Sequence, residues 1–258
     1  MRRRKKKNWK LKDLLVKVGI LVFLAGLVYF LLERYKEQRE VFVRFEAFGI
    51  DLPVAYDIHG IDVSRYQQHI NWKLVKDMEV QGKRIGFAFI KATEGETLID
   101  PTFKRNFRLA KSNGIPRGAY HYFIPSLDAN QQAKQFISNV RLVTGDLPPV
   151  LDVEQTNQIP HFVLRAKVKA WLELIESYYG VRPIIYTHAD FYQKYLGKDF
   201  DEYPLWVAHY YEKHKPRISR PWLFWQHNDK GNVDGIKGGV DFNVFSGDST
   251  EFSNLLMK

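Results

Sequence analysis

Pro148-Pro149-Val150-Leu151-Asp152-Val153-Glu154 ends a short apolar run with two carboxylates two residues apart. In a strand, successive side chains alternate faces, so Asp152 and Glu154 project the same way, their Cα atoms roughly 6 to 7 Å apart. Two acids at that spacing drive their pKa values apart, because both cannot ionise cheaply. One protonated acid beside one charged partner is what glycoside hydrolysis uses. An isolated Asp-x-Glu is more often a pair of solvated strand-end acids, so the company it keeps decides.

From about residue 57 the chain alternates strand with loop or helix. Candidate strands are 58–63, 85–92, 117–123, 149–154, 183–187, 205–209, 223–227 and 240–244, each short, rich in β-branched or aromatic residues and bounded by Gly, Pro or Asn. Asp100-Pro101 reads as an N-cap followed by Pro at the first helical position, with Gly114 closing that helix. Residues 129–140 and 165–179 also read as helices, the latter ended by Gly180. Little room for helices remains between the last three strands. Eight strands, mostly parallel, predict an α/β fold as an irregular TIM-like barrel, with a doubly wound open sheet as the alternative.

A parallel barrel carries its functional side chains at the C-terminal strand ends. There the sequence places Asp62, Lys91, Tyr120 and Tyr122, Asp152 and Glu154, Tyr186, Trp206 and Gln226, with Asp241 at the start of the eighth strand. The result is an acidic centre rimmed by aromatics that can stack on sugar rings. Strands one and eight meet where a barrel closes, so Asp62 and Asp241 are expected to be neighbours, with strand four across the mouth. Each residue also has a duller reading. Asp62 caps a turn, Asp241 binds its own loop, the aromatics fill the core, and His121, His209 and His227 are satisfied core histidines. No His-x-x-x-His or similar spacing occurs, and no metal is expected.

In order along the chain, Gly60-Ile61-Asp62-Val63-Ser64, Asn71-Trp72, Phe89-Ile90-Lys91-Ala92-Thr93-Glu94-Gly95, Gly118-Ala119-Tyr120-His121-Tyr122-Phe123, Leu151-Asp152-Val153-Glu154, Ile185-Tyr186-Thr187, Leu205-Trp206-Val207-Ala208, Trp225-Gln226 and Val240-Asp241-Phe242-Asn243 resemble glycoside hydrolase family 25, the Chalaropsis-type lysozymes or N-acetylmuramidases. The resemblance covers roughly residues 57–247. It implies a flattened, irregular β/α barrel that cleaves the β-1,4 bond between N-acetylmuramic acid and N-acetylglucosamine in peptidoglycan, without a cofactor. By motif, Glu154 corresponds to the proton donor, its pKa expected to be raised by Asp152 and partial burial. Asp152 corresponds to the partner that steers the 2-acetamido group, and Asp62 and Asp241 to the other two acids. Tyr120, Tyr122, Tyr186, Trp206, Gln226 and Lys91 are expected to contact sugar. Two departures touch the subsites. Tyr66-Gln67-Gln68-His69 stands where an aromatic, Gln and Gly are common, and Trp225-Gln226-His227 stands where Trp-Gln-Tyr is common. The rival readings are a wall-binding protein without turnover, a hydrolase of a chitin-like glycan, and a membrane-bound metal hydrolase.

The net charge of +10 is concentrated in residues 1–17, with nine basic residues against Asp13. The nearly neutral remainder offers no nucleic-acid footprint. Residues 18–32 are an unbroken run of apolar residues and Gly, and extending back to Leu14 adds only Lys17 as a charge. About 20 apolar residues span a bilayer. No small-x-small site follows the run, which favours an uncleaved anchor over a cleaved signal peptide. The expected order is a basic cytoplasmic head (1–13), a transmembrane anchor (14–32), a spacer (33–56) packing in part against the domain edge, and a monomeric barrel (57–250) on the extracytoplasmic side. The chain has no cysteine, which excludes thiolate metal sites.

Overall fold

The computed structural model describes residues 4–37 and 42–258, and the chain divides into two units, Met1–Val41 and Phe42–Lys258. The first unit holds one helix, α1 (Arg4–Glu37). Its stretch Lys12–Leu32 has a mean hydropathy of 2.5 and is long and apolar enough to cross a membrane. Lys17, the charge that interrupts the run, pairs with Asp13 one turn earlier at 2.9 Å. Of the expected spacer, residues 38–41 lie outside the described residues.

The second unit opens with an antiparallel hairpin, β1 (Phe42–Phe45) and β2 (Ile50–Pro53). Phe45, Phe48, Ile50 and Leu52 are buried. The Phe48 ring meets Phe242 at 5.3 Å, and the Phe48 carbonyl accepts from the Asn232 backbone N–H at 2.8 Å. From Phe42 onward, therefore, the chain belongs to the body.

Eight strands close the barrel in the order β3 (His59–Val63), β5 (Lys83–Glu94), β7 (Arg117–Tyr122), β8 (Val150–Asp152), β9 (Ile184–His188), β10 (Leu205–Ala208), β11 (Phe224–Gly231) and β12 (Val240–Phe245), with β12 returning to β3. Two short strands, β4 (Glu79–Val80) and β6 (Leu98–Ile99), pair antiparallel with β5. Neighbours from β3 to β11 run parallel, while β12 is antiparallel to both β11 and β3. The link 232–239 is too short for the crossover a parallel return needs. Closure through β3, which pairs with both β5 and β12, rules out the open doubly wound sheet. The helices are α2 (Trp72–Asp77), α3 (Phe103–Ser112), α4 (Ala129–Asn139), α5 (His161–Tyr179), the single turn α6 (Ala189–Phe191) and α7 (Ser249–Leu255).

Helix α3 starts later than Asp100-Pro101 predicts. The buried Asp100 carboxylate instead accepts from the Thr102 N–H and hydroxyl at 2.8 and 2.7 Å, and from the Arg65 N–H at 2.8 Å. Asp100 thereby ties the turn before α3 to the loop after β3. Helix α5 begins at His161, one turn before the expected Arg165, because Pro160 sits at its N-cap. Gly180 ends it in the left-handed conformation, as expected.

Alternation along the strands separates two cores. Inward-facing Phe87, Phe89, Val150, Ile184, Trp206, Phe224 and Phe245 fill the barrel below its mouth. Outward-facing Ala88, Ile90, Leu151, Ile185, Leu205 and Val207 pack in the outer core, with Phe136, Leu164, Val168 and Trp171 from α4 and α5. The inner rings need space that glycine supplies. A Cβ on Gly60 would lie 2.5 Å from the Phe87 ring, and one on Gly118 would lie 2.5 Å from the Phe89 ring.

Candidate active site

The alternation that buries the inner rings carries polar side chains to the mouth two or four residues later. After Phe89 on β5 comes Lys91, after Gly118 on β7 come Tyr120 and Tyr122, and after Val150 on β8 come Asp152 and then Glu154. A cleft of about 240 Å³ gathers Asp62, Lys91, Tyr120, Tyr122, Asp152, Glu154, Tyr186, Trp206, Gln226 and Asp241, all ten residues singled out from the sequence. It also includes Ser64, Tyr66 and Tyr210, which sequence reasoning did not select. Tyr210 follows Trp206 and Ala208 on the same face, so the alternation itself was the signal for it.

Asp62 and Asp241 stand opposite each other in the β3–β12 register. Asp62 caps no turn, since Ser64 caps the following one, and Asp241 faces Asp62 rather than its own loop. One Asp62 oxygen, Oδ2, accepts from Gln226 Nε2 and Asn243 Nδ2, both at 2.7 Å. Those amides are oriented in turn. Tyr186 and Tyr210 hydroxyls donate to Gln226 Oε1, and the Trp206 indole N–H donates to Asn243 Oδ1 at 2.7 Å. Burial, then the charge of Asp241, pushes the Asp62 pKa well up. Burial, then Asp229, pushes Asp241 up to about 6, while the hydrogen bond with Asp62 opposes the rise. Two buried carboxyls this close disfavour the doubly charged pair, and both pKa values are raised.

In the second pair, Asp152 is the more deeply buried acid and Glu154 is partly buried. Asp152 is 6% exposed, whereas the Glu154 side chain is 27% exposed. Burial and then the Glu154 charge push the Asp152 pKa well up, against the pull of Lys91. Asp152 Oδ1 is buried and has no hydrogen-bond partner among the described residues. Glu154 Oε1 lies 3.6 Å from His188 Nε2, a half-exposed ring at the end of β9. Lys91 bonds Glu94 at 2.6 Å and sits 4.6 Å from the centre of the Tyr122 ring.

Trp206 is 1% exposed and stacks on Phe89 at 4.4 Å, so it forms the floor of the cleft. Tyr66 and Tyr122 stand at the open rim instead. Of the three histidines read as satisfied core groups, only His121 is one, with Thr93 Oγ1 at 2.7 Å and Gln132 Oε1 at 3.2 Å. His209 is part-exposed beside Glu212 at 3.3 Å. His227 is buried, and neither of its ring nitrogens has a partner among the described residues. The described residues hold no cluster of three or more His, Cys, Asp or Glu side chains suited to a metal ion.

The arrangement thus offers two carboxyl pairs in a sugar-sized cleft, with Glu154 the partly exposed acid and Asp62 fixed by Gln226 and Asn243. It suits acid–base chemistry on a glycan. Residues 61–236 match the family described as Glycosyl hydrolases family 25. Uncharacterized protein YegX of Escherichia coli is 50% identical over 211 residues, covering 82% of this chain and 78% of that one. Lysozyme M1 of Streptomyces globisporus is 34% identical over 219 residues, covering 77% of this chain and 71% of that one. A solved family 25 glycosyl hydrolase from Bacillus anthracis superposes with a TM-score of 0.72 at 32% identity, covering 79% of this chain and 95% of that one. With the family match, the relatives and the fold in agreement, this chain is a glycoside hydrolase and belongs to glycosyl hydrolase family 25.

Proposed function

We propose that the chain hydrolyses the β-1,4 bond between N-acetylmuramic acid and N-acetylglucosamine in peptidoglycan, with Glu154 as the acid and Asp152 as the group that holds the substrate's acetamido arm. The observation that carries this reading is the buried, unpartnered Oδ1 of Asp152 beside Glu154 in the cleft. A substrate amide N–H supplies the missing bond. Hydrogen bonding to the charged form favours ionised Asp152, so the proton of the pair passes to Glu154 as the sugar docks. Glu154 gives that proton to the glycosidic oxygen while the bond to the anomeric carbon breaks. The acetamido carbonyl oxygen attacks that carbon from the other face, and its amide N–H remains on Asp152. Water then attacks the same carbon, Glu154 takes its proton, and the acetamido group is restored. The Asp241 carboxylate stabilises the positive charge that develops on the sugar.

The similarity to Lysozyme M1 supports the peptidoglycan substrate. α1 serves as the membrane anchor, with its basic start in the cytoplasm and the monomeric barrel on the extracytoplasmic side, where peptidoglycan lies. The test is mass spectrometry of purified peptidoglycan, and separately of chitin, digested with the full chain in detergent. Reducing-end N-acetylmuramic acid is expected, with turnover lowered about a thousandfold in Glu154→Gln. Reducing-end N-acetylglucosamine would reassign the bond, and cleavage of chitin alone would reassign the glycan. Folded protein that releases no fragments would leave a wall-binding module.

A further inference from the structure

A second cavity, of about 420 Å³, opens between the β1–β2 hairpin, the segment after β10 and the outer face of β11. Its hairpin wall lies before residue 61, where the family match begins. His227 lines it, 2% exposed. The rings of Phe42, Trp225 and Phe242 surround this imidazole at 6.2, 5.6 and 6.5 Å, and its nitrogens are unpartnered among the described residues. A buried polar group left unbonded costs about 1–3 kcal/mol. A ligand with its own donor and acceptor removes that cost.

The rim carries a second irregularity. Tyr211, 56% exposed, is held at φ +54°, a conformation that non-glycine residues seldom adopt. Its N–H donates to the His227 carbonyl at 3.2 Å and its hydroxyl to Asp229, while Lys230 Nζ lies 5.3 Å from its ring centre. Strained residues of this kind cluster at active sites and ligand clamps. The lining carries both signs of charge, Arg44, Lys213 and Lys230 against Asp51 and Glu212. The cavity lies on the outer side of β11 and the catalytic cleft on its inner side, and Asp229, whose charge reaches Asp241, accepts from the Tyr211 hydroxyl. Tyr210 and Gln226 line the cleft, while Tyr211, His227 and Asn228, one or two residues along the same elements, line the cavity.

We propose that this cavity docks the peptide stem carried by the N-acetylmuramic acid residues, an inference that rests on the muramidase reading above. A stem is a short peptide with free carboxylates and, where it holds a diamino acid, an amine. The carboxylates meet Arg44 and Lys230, the amine meets Asp51 and Glu212, the backbone amides meet His227, and Tyr211 covers the chain. Reach permits this. A stem of three to five residues extends at most about 10–18 Å, and Gln226 and Asn228 stand about 7 Å apart along β11.

Two measurements test it. The full chain in detergent is given glycan strands with stems and strands stripped of them by an amidase. The ratio of kcat/KM on stem-bearing to stripped strands falls about fivefold in Arg44→Ala/Lys230→Ala. An unchanged ratio overturns the proposal. Separately, the soluble lactoyl-tripeptide ending in a diamino acid is titrated calorimetrically into Glu154→Gln, with and without the double substitution. Saturable binding that the substitution weakens supports stem docking, and no binding at millimolar peptide overturns it. If the wild type cleaves neither kind of strand, the muramidase reading fails, and the titration still decides whether the cavity binds a stem.

Discussion

Asp241 shows what the site costs the molecule. Its carboxyl is raised from 3.8 to about 6 by burial and by Asp229. An acid with a raised folded-state pKa binds more protons folded than unfolded. Its contribution to stability is therefore complete below about pH 4 and is lost as pH rises through about 6. The loss amounts to about 3 kcal/mol by pH 8. Asp241→Asn removes it. In urea melts, the variant is expected to gain stability over the wild type as pH goes from 4 to 8, while its turnover falls. Parallel pH dependences would show that the Asp62–Asp241 pair stores no such strain. The four acids were legible from the sequence because alternation and strand order bring them to one face. Which acid of Asp152 and Glu154 is the more deeply buried was not, because Tyr120 and Tyr186, whose rings lie near Asp152, come from two other strands.

At the scale of elements, a chain of contacts links barrel filling to the acids. Gly118 leaves room for Phe89, Phe89 stacks on Trp206, Trp206 holds Asn243, and Asn243 holds Asp62. A Cβ at position 118 would meet the Phe89 ring at 2.5 Å and Leu147 Cβ at 3.2 Å. Gly118→Ala is expected to cost about 1–3 kcal/mol of stability and to lower kcat, because the Phe89 displacement reaches Asp62 through that series. Denaturant melts and turnover measured together check this, and full activity in a destabilised variant would break the link to the acids. The eight strands were readable because each alternates and is bounded by turn residues. Asp100 misled because an acid before a proline caps a turn as well as a helix, and its partner Arg65 lies 35 residues away. The β1–β2 hairpin had no signal of pairing in its aromatic-rich run, only of burial.

At the scale of the whole molecule, three histidines are held neutral by burial. His59, His121 and His227 have pKa values lowered to about 4, 3 and 3, chiefly by burial. A base with a depressed folded-state pKa binds fewer protons folded than unfolded. The stability these groups contribute is complete above about pH 6.5 and is lost as pH falls toward 4 and 3. The buried acids act in the opposite sense, so the fold is squeezed from both sides of mild acidity. The sequence offers His121 and His227 as core histidines but does not single out His59, and it does not show what covers them, Phe136 and Trp171 over His121 and Phe42 over His227. His227→Phe tests the acid side in a pocket already built of Phe42, Trp225 and Phe242. It removes one titrating group, together with two buried nitrogens that have no partner among the described residues. The variant is expected to match or exceed the wild type at pH 7. Between pH 6 and 4 it should lose less stability, by about 1.4 kcal/mol per pH unit. If wild type and variant lose stability in parallel over that range, then His227 is hydrated in the folded state, and the remaining acid sensitivity belongs to His59 and His121.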